Sequence, residues 1–101
     1  MPAAAARLGD SCTGHECFPP RSCTGGSPNV FVNSISWHRQ GDGWSVHTCT
    51  HPKKPHGSHG SSLAAGSSTV FVNGLQAGRV GDPVACGSSV ASGSSNVFAG
   101  G

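Results

Sequence analysis

At 101 residues the chain has room for one domain, spanning residues 1–101, and a fold this small removes only about 60–65% of its unfolded surface from water. Charged residues make up 10% of it and the net charge is +2 at pH 7. That is too little for the basic face with which a nucleic-acid binder neutralises several phosphates, so DNA and RNA are excluded as partners. No apolar run approaches the roughly 18 residues of a membrane-spanning helix. The opening Met-Pro-Ala-Ala-Ala-Ala-Arg lacks the charged and apolar regions of a signal peptide, so a protein made in the cytoplasm is expected.

The 16 glycines and 7 prolines recur at patterned places rather than in tracts. Hardly any ten-residue stretch escapes a Gly, a Pro or a Ser/Thr cluster, and no apolar face repeats at a helical period. The expected class is all-β. From the N-terminus, Arg7-Leu8-Gly9-Asp10 opens a frame that returns as Arg39-Gln40-Gly41-Asp42 and Arg79-Val80-Gly81-Asp82. Each copy leads into a loop, and each loop runs to a strand sentence: Gly-Ser-Pro-Asn-Val-Phe-Val-Asn from Gly26, Gly-Ser-Ser-Thr-Val-Phe-Val-Asn from Gly66, and Gly-Ser-Ser-Asn-Val-Phe-Ala from Gly93. Three loops therefore alternate with three short strands, with Phe31, Phe71 and Phe98 on one face and valines on the other. Strands this short bury a face only by sharing it, so the three copies are expected around an approximate three-fold axis, as core. The repeated aspartates are expected to fix their loops by Asx-type turns.

The loops hold most of the histidine and cysteine, at phased positions. His15 stands five residues after Asp10, His47 five after Asp42 and Cys86 four after Asp82. Counted backwards from the strands, His59 lies seven before Gly66, as Cys86 does before Gly93. Equivalent positions converge on the axis, so His15, His47, His59 and Cys86 form a candidate set of three imidazoles and one thiolate, which suits a structural zinc, one per chain. Four protein ligands leave no position for an activated water, which argues against metallohydrolase chemistry. Such a site supplies on the order of 10 kcal/mol toward folding.

Together these features resemble the PAAR-repeat family, named for a Pro-Ala-Ala-Arg motif. Residues 1–10 match its signature with two extra alanines, Gly74-Leu75-Gln76-Ala77-Gly78-Arg79-Val80-Gly81-Asp82-Pro83 resembles a second copy, and the Val-Phe-Val-Asn strands and Cys86-Gly87 also fit. The resemblance implies a pseudo-three-fold cone of short strands with zinc held near its vertex by three histidines and one cysteine. It further implies a base that docks one monomer onto a trimeric β-helical spike, either the valine-glycine-repeat protein of type VI secretion or a contractile phage tail spike. Such a tip sharpens a spike that meets a target membrane transiently, outside the cell or in a virion, and it is not an enzyme.

The sequence departs from the family pattern in its long middle loop, where Cys49, His51 and His56 compete with the chosen ligands, and at Trp37-His38-Arg39-Gln40, where smaller residues are usual. Cys12, Cys17, Cys23 and Cys49 read as buried or unreacted thiols, because five cysteines is an odd number and the cytoplasm is reducing. Trp37 and Trp44 read as packing. Two glycines follow the third strand, so any effector cargo is expected on a separate chain. Two other classes remain: a stand-alone secreted module stabilised by metal or disulfides that binds a surface, and a small metalloenzyme, for which Asp10, Glu16, Asp42 and Asp82 are the available carboxylates.

Overall fold

A computed structural model describes residues 2–14, 18–48 and 58–101. The chain is all-β, with eight short strands among the described residues. Strand β2 (Phe31–Val32) pairs antiparallel with β3 (Ile35–Ser36), and β6 (Phe71–Val72) pairs in the same register with β7 (Leu75–Gln76). The turns are Asn33-Ser34 and Asn73-Gly74, all four at positive φ (54°, 66°, 54° and 80°). Two central residues at positive φ define the hairpin turn whose twist matches that of the flanking strands, which is why Asn and Gly recur there. The third sentence has no following strand. Instead β8 (Phe98–Ala99) pairs antiparallel with β1 (Ala3–Ala4), so the third hairpin is closed by the two ends of the chain.

The expected three-fold arrangement is present in the backbone. Ala6 N–H donates to Gly78 O (2.9 Å), Gly78 N–H to His38 O (2.8 Å) and His38 N–H to Ala6 O (3.0 Å), a closed cycle of three bonds. The bridges Arg7 to Trp37, Arg39 to Ala77 and Ala5 to Arg79 link the copies head to tail around it. The glycine that opens each sentence is required by close approach. A Cβ at Gly93 would lie 2.6 Å from Ala5 O, one at Gly26 2.8 Å from Ser36 Cβ, and one at Gly66 would collide with Ala77 O. The serine after it is buried in each copy: Ser27, Ser67 and Ser94 accept from the N–H of Val30, Val70 and Val97 at 2.9, 2.9 and 3.0 Å. Each hydroxyl also donates to the next copy, to Asn73 Oδ1 (2.6 Å), Gly100 O and Asn33 Oδ1 (2.6 Å) respectively.

Only one of the two strand faces is core. Val32, Val72 and Ala99 are buried, but Phe31, Phe71 and Phe98 are 56%, 55% and 56% exposed, so the aromatic face is a surface and not core. The core lies farther along the axis, where Ala6, Cys12, Cys23, Trp44, Leu63, Val84 and Val90 pack together. Its members are repeat equivalents of one another: Cys23, Leu63 and Val90 donate their N–H to the carbonyls of Asp10, Asp42 and Asp82.

Each Arg-x-Gly-Asp frame forms the same turn. The aspartate N–H donates to the arginine carbonyl in all three (2.9, 3.0 and 3.1 Å), with the intervening Gly9, Gly41 and Gly81 at φ 93°, 87° and 93°. The aspartate does fix its loop, but not as an Asx-turn, which reaches forward. Its carboxylate reaches back three residues to accept the arginine's own N–H, at 2.7, 2.9 and 2.8 Å for Arg7, Arg39 and Arg79. The guanidinium closes the second side, with Nε donating to Oδ2 and Nη2 to Oδ1 in every copy. Its Nη1 then reaches the neighbouring hairpin at Asn33 Oδ1, Asn73 Oδ1 or Gly100 O (3.2, 3.0 and 3.0 Å).

Candidate metal centre

Beyond the core lie three segments outside the repeat, described over residues 11–14 and 18–22, over 43–48 and 58–62, and over 83–89. The middle one is a hairpin of β4 (Gly43–Thr48) and β5 (Ser58–Ser62), with a bulge between Trp44 and His47. A regular strand would put Trp44 and His47 on opposite faces. The bulge turns both inward, each 4% exposed, and sends Val46 out to solvent.

His47 stands opposite His59 in the register of this hairpin. Its Nδ1 lies 2.9 Å from Pro19 O and its ring 4.8 Å from that of Phe18. A carbonyl oxygen has no proton to give, so Nδ1 carries a hydrogen and donates it to Pro19 O. This is the arrangement that orients a metal-binding imidazole through its second nitrogen. Cys86, on the third loop, is half-buried, with its Sγ 3.2 Å from Arg21 Nη2. Nitrogen and sulfur donors of this kind suit zinc. His59 is described in its backbone alone, and His15 lies outside the described residues, as do the rival ligands Cys49, His51 and His56. No group of three or more His, Cys, Asp or Glu side chains converges among the described residues.

The remaining cysteines divide. Cys12 and Cys23 are buried thiols without a disulfide, as expected, and Cys17 lies outside the described residues. Burial pushes the Cys23 thiol up to about 11, and its Sγ donates to Arg7 O at 2.9 Å. Burial acts in the same direction on Cys12, yet the backbone N–H groups of Arg21 (3.5 Å) and Gly14 (3.4 Å) and the side chains of Arg21 and Ser88 outweigh it, and its pKa falls below the ordinary value.

Sequence reasoning missed two residues. Arg21, 8% exposed, donates from Nε to Ser45 O (3.0 Å), from Nη1 to Cys12 Sγ (3.0 Å) and Ser88 Oγ (3.1 Å), and from Nη2 to Cys86 Sγ, while its plane lies 5.5 Å from the Trp44 ring. The signal was available, since Arg21 is the one arginine outside the Arg-x-Gly-Asp frame. His38, fully buried, donates from Nδ1 to Gly25 O (2.8 Å) and sits edge-on to Trp44 at 5.2 Å. Neither His38 Nε2 nor Trp44 Nε1 has a hydrogen-bond partner among the described residues.

No curated protein matches the chain. The PAAR motif does, over residues 13–92 and again over residues 58–101. Two overlapping matches are what a chain of internally repeated frames and strands produces, and together they cover most of its length. The chain belongs to the PAAR-motif family.

Proposed function

We propose that this protein is the non-enzymatic tip of a trimeric β-helical spike, docked one copy per trimer through its hairpin end and stabilised by one zinc at its loop end. The observation that carries the docking is the triplet of exposed phenylalanines. Phe31, Phe71 and Phe98 occupy the same position on three hairpins related by a closed backbone cycle, and their exposures agree within one per cent. Ile35 and Leu75, also exposed, enlarge two of the three sites. A monomer rarely shows large apolar groups in this arrangement unless a partner covers them. A partner with three equal chains offers three equal sockets, and each phenylalanine buried there contributes about 1.5–3 kcal/mol. The partner is a valine-glycine-repeat protein of type VI secretion or a phage tail spike, so the tip works outside the producing cell or in the virion.

His15, His47, His59 and Cys86 are the proposed ligands, and a zinc held by all four cross-links the loops without offering a position for water. The three described carboxylates do not suggest catalysis, because Asp10, Asp42 and Asp82 are each engaged by their own arginine, and Glu16 lies outside the described residues. The test is co-purification with a trimeric spike protein from the same genome. The expected stoichiometry is one chain per trimer, lost in the triple variant Phe31→Ser, Phe71→Ser and Phe98→Ser while its melting temperature is maintained. Binding that survives all three substitutions places the docking surface elsewhere.

A further inference from the structure

Docking uses the hairpins and the repeat frame uses three arginines, but neither accounts for the fourth. Arg21 brings a full positive charge into the loop end, and no ion pair to it is found among the described residues. A buried cation left uncompensated costs several kcal/mol, so its surroundings must answer it. They come from all three loops. Cys12 Sγ belongs to the first, Ser45 O and the Trp44 ring to the second, and Ser88 Oγ and Cys86 Sγ to the third, at hydrogen-bond distances of 3.0–3.2 Å and 5.5 Å to the ring centre. Nε and both Nη atoms donate, which needs the planar fork of arginine and is beyond a lysine ammonium.

We propose that Arg21 is the organising cation of the loop end: it gathers the three loops around one buried guanidinium and positions the Cys86 sulfur for metal. The second half rests on the reading of Cys86 as a ligand; the first half does not. Ser45 lies two residues before His47 on β4, so the same side chain that holds Cys86 also holds the strand carrying the candidate imidazole. Arg21 is thus a positioning residue that registers candidate ligands from two loops without binding metal itself. Groups in this role typically change metal affinity about 10–100-fold when removed.

The first experiment is hydrogen exchange by mass spectrometry on the chelator-treated full chain, comparing wild type with Arg21→Met and Arg21→Lys. The expected result is faster exchange, by about tenfold, in peptides covering all three of residues 11–22, 43–48 and 83–89 in Arg21→Met, less in Arg21→Lys, and none in the hairpins. A change confined to residues 11–22 overturns the organising role. Should Arg21→Met lose hairpin protection and so fail to fold, Ser88→Ala decides: it removes one acceptor and is expected to loosen residues 83–89 and 11–22 together, and no change there overturns the proposal. The second readout is cobalt loading. A weaker affinity by about 10–100-fold together with a shifted thiolate-to-cobalt charge-transfer band supports positioning of Cys86, and an unchanged band and affinity overturn it. A wild type that takes up no cobalt defeats the metal reading and with it the positioning half, while the exchange result still decides the organising half.

Discussion

Replacing Asp82 by alanine tests whether the Arg-x-Gly-Asp frame is a structural unit or a surface ion pair. The Asp82 side chain is 9% exposed and that of Arg79 13%, the most enclosed of the three pairs. Alanine removes the acceptor of the Arg79 backbone N–H (2.8 Å), of Nε (3.1 Å) and of Nη2 (2.9 Å), and leaves Gly81 at φ 93° in a turn with one fewer constraint. A hydrogen bond to a charged acceptor is worth about 1.5–3 kcal/mol, and the guanidinium bonds, partly wetted, add less. The three are not additive, so a total of about 2–4 kcal/mol is expected. For a chain of this size each kcal/mol shifts the melting temperature by roughly 4–8 °C. Urea unfolding of Asp10→Ala, Asp42→Ala and Asp82→Ala should give costs of similar size, with Asp82 at the top. A cost below about 0.5 kcal/mol, the level of an exposed ion pair, would refute the view that the carboxylate works mainly through the buried backbone N–H.

His38 is held neutral by burial, which lowers its pKa below the ordinary 6.5, with Gly25 O and the carboxylates of Asp42 and Asp10 opposing and Arg39 assisting. The unfolded chain therefore takes up a proton that the folded one refuses, so stability is full above pH 6.5 and falls as pH drops below it; a His38→Gln variant should lose that part of the slope in urea titrations between pH 7 and 5. Ser34 is in the left-handed region at φ 66°, where its repeat equivalent is Gly74, so Ser34→Gly should stabilise by about 1 kcal/mol in the same assay. Gly93→Ala places a methyl group 2.6 Å from Ala5 O and 3.0 Å from Val80 Cγ2 at the hairpin closed by the chain ends. It should cost about 1–3 kcal/mol and raise exchange at β1 and β8 before the other two hairpins.

The three-fold plan was legible because it is written in residues whose identity is forced. Glycine is needed where Ala77 O or Ala5 O comes too close, Asn-Gly where both turn residues take positive φ, and aspartate where an arginine N–H needs an acceptor. What alternation left undecided was which face looks inward. A Val-Phe-Val run gives both faces apolar side chains, and hydrophobicity alone favours the larger one as core. In the structure the smaller face is the one that turns in: Val32, Val72 and Ala99 are buried and the phenylalanines are not. The loop end was less legible for a different reason. Phasing by the repeat picked out His47 and Cys86, but a bulge decides where His47 points, and a single residue outside the repeat, Arg21, ties Cys86 to the other loops. Neither a bulge nor a long-range contact leaves a periodic trace.

One chain holding three unequal copies achieves at the axis what three identical chains cannot. The positions that close the backbone cycle are Ala6, His38 and Gly78, one methyl, one imidazole and one hydrogen. A Cβ added at Gly78 would lie 2.7 Å from His38 O and 3.0 Å from Leu63 Cδ2, so the centre that accepts one ring at His38 has no space for a side chain at its equivalent. Three histidines related by true symmetry would need that space three times over. The same reasoning applies in the layer beyond, where Cys12, Trp44 and Val84 share the core at bridge-related positions with Cys23, Leu63 and Val90, and one indole is offset by two smaller neighbours. At the opposite end the side chains point away from the axis and no such limit applies. There the phenylalanine positions are alike, with Phe31, Phe71 and Phe98 equally exposed. Inequality is thus strongest in the layers where side chains meet at the axis, and the three phenylalanine positions of the hairpin end escape it.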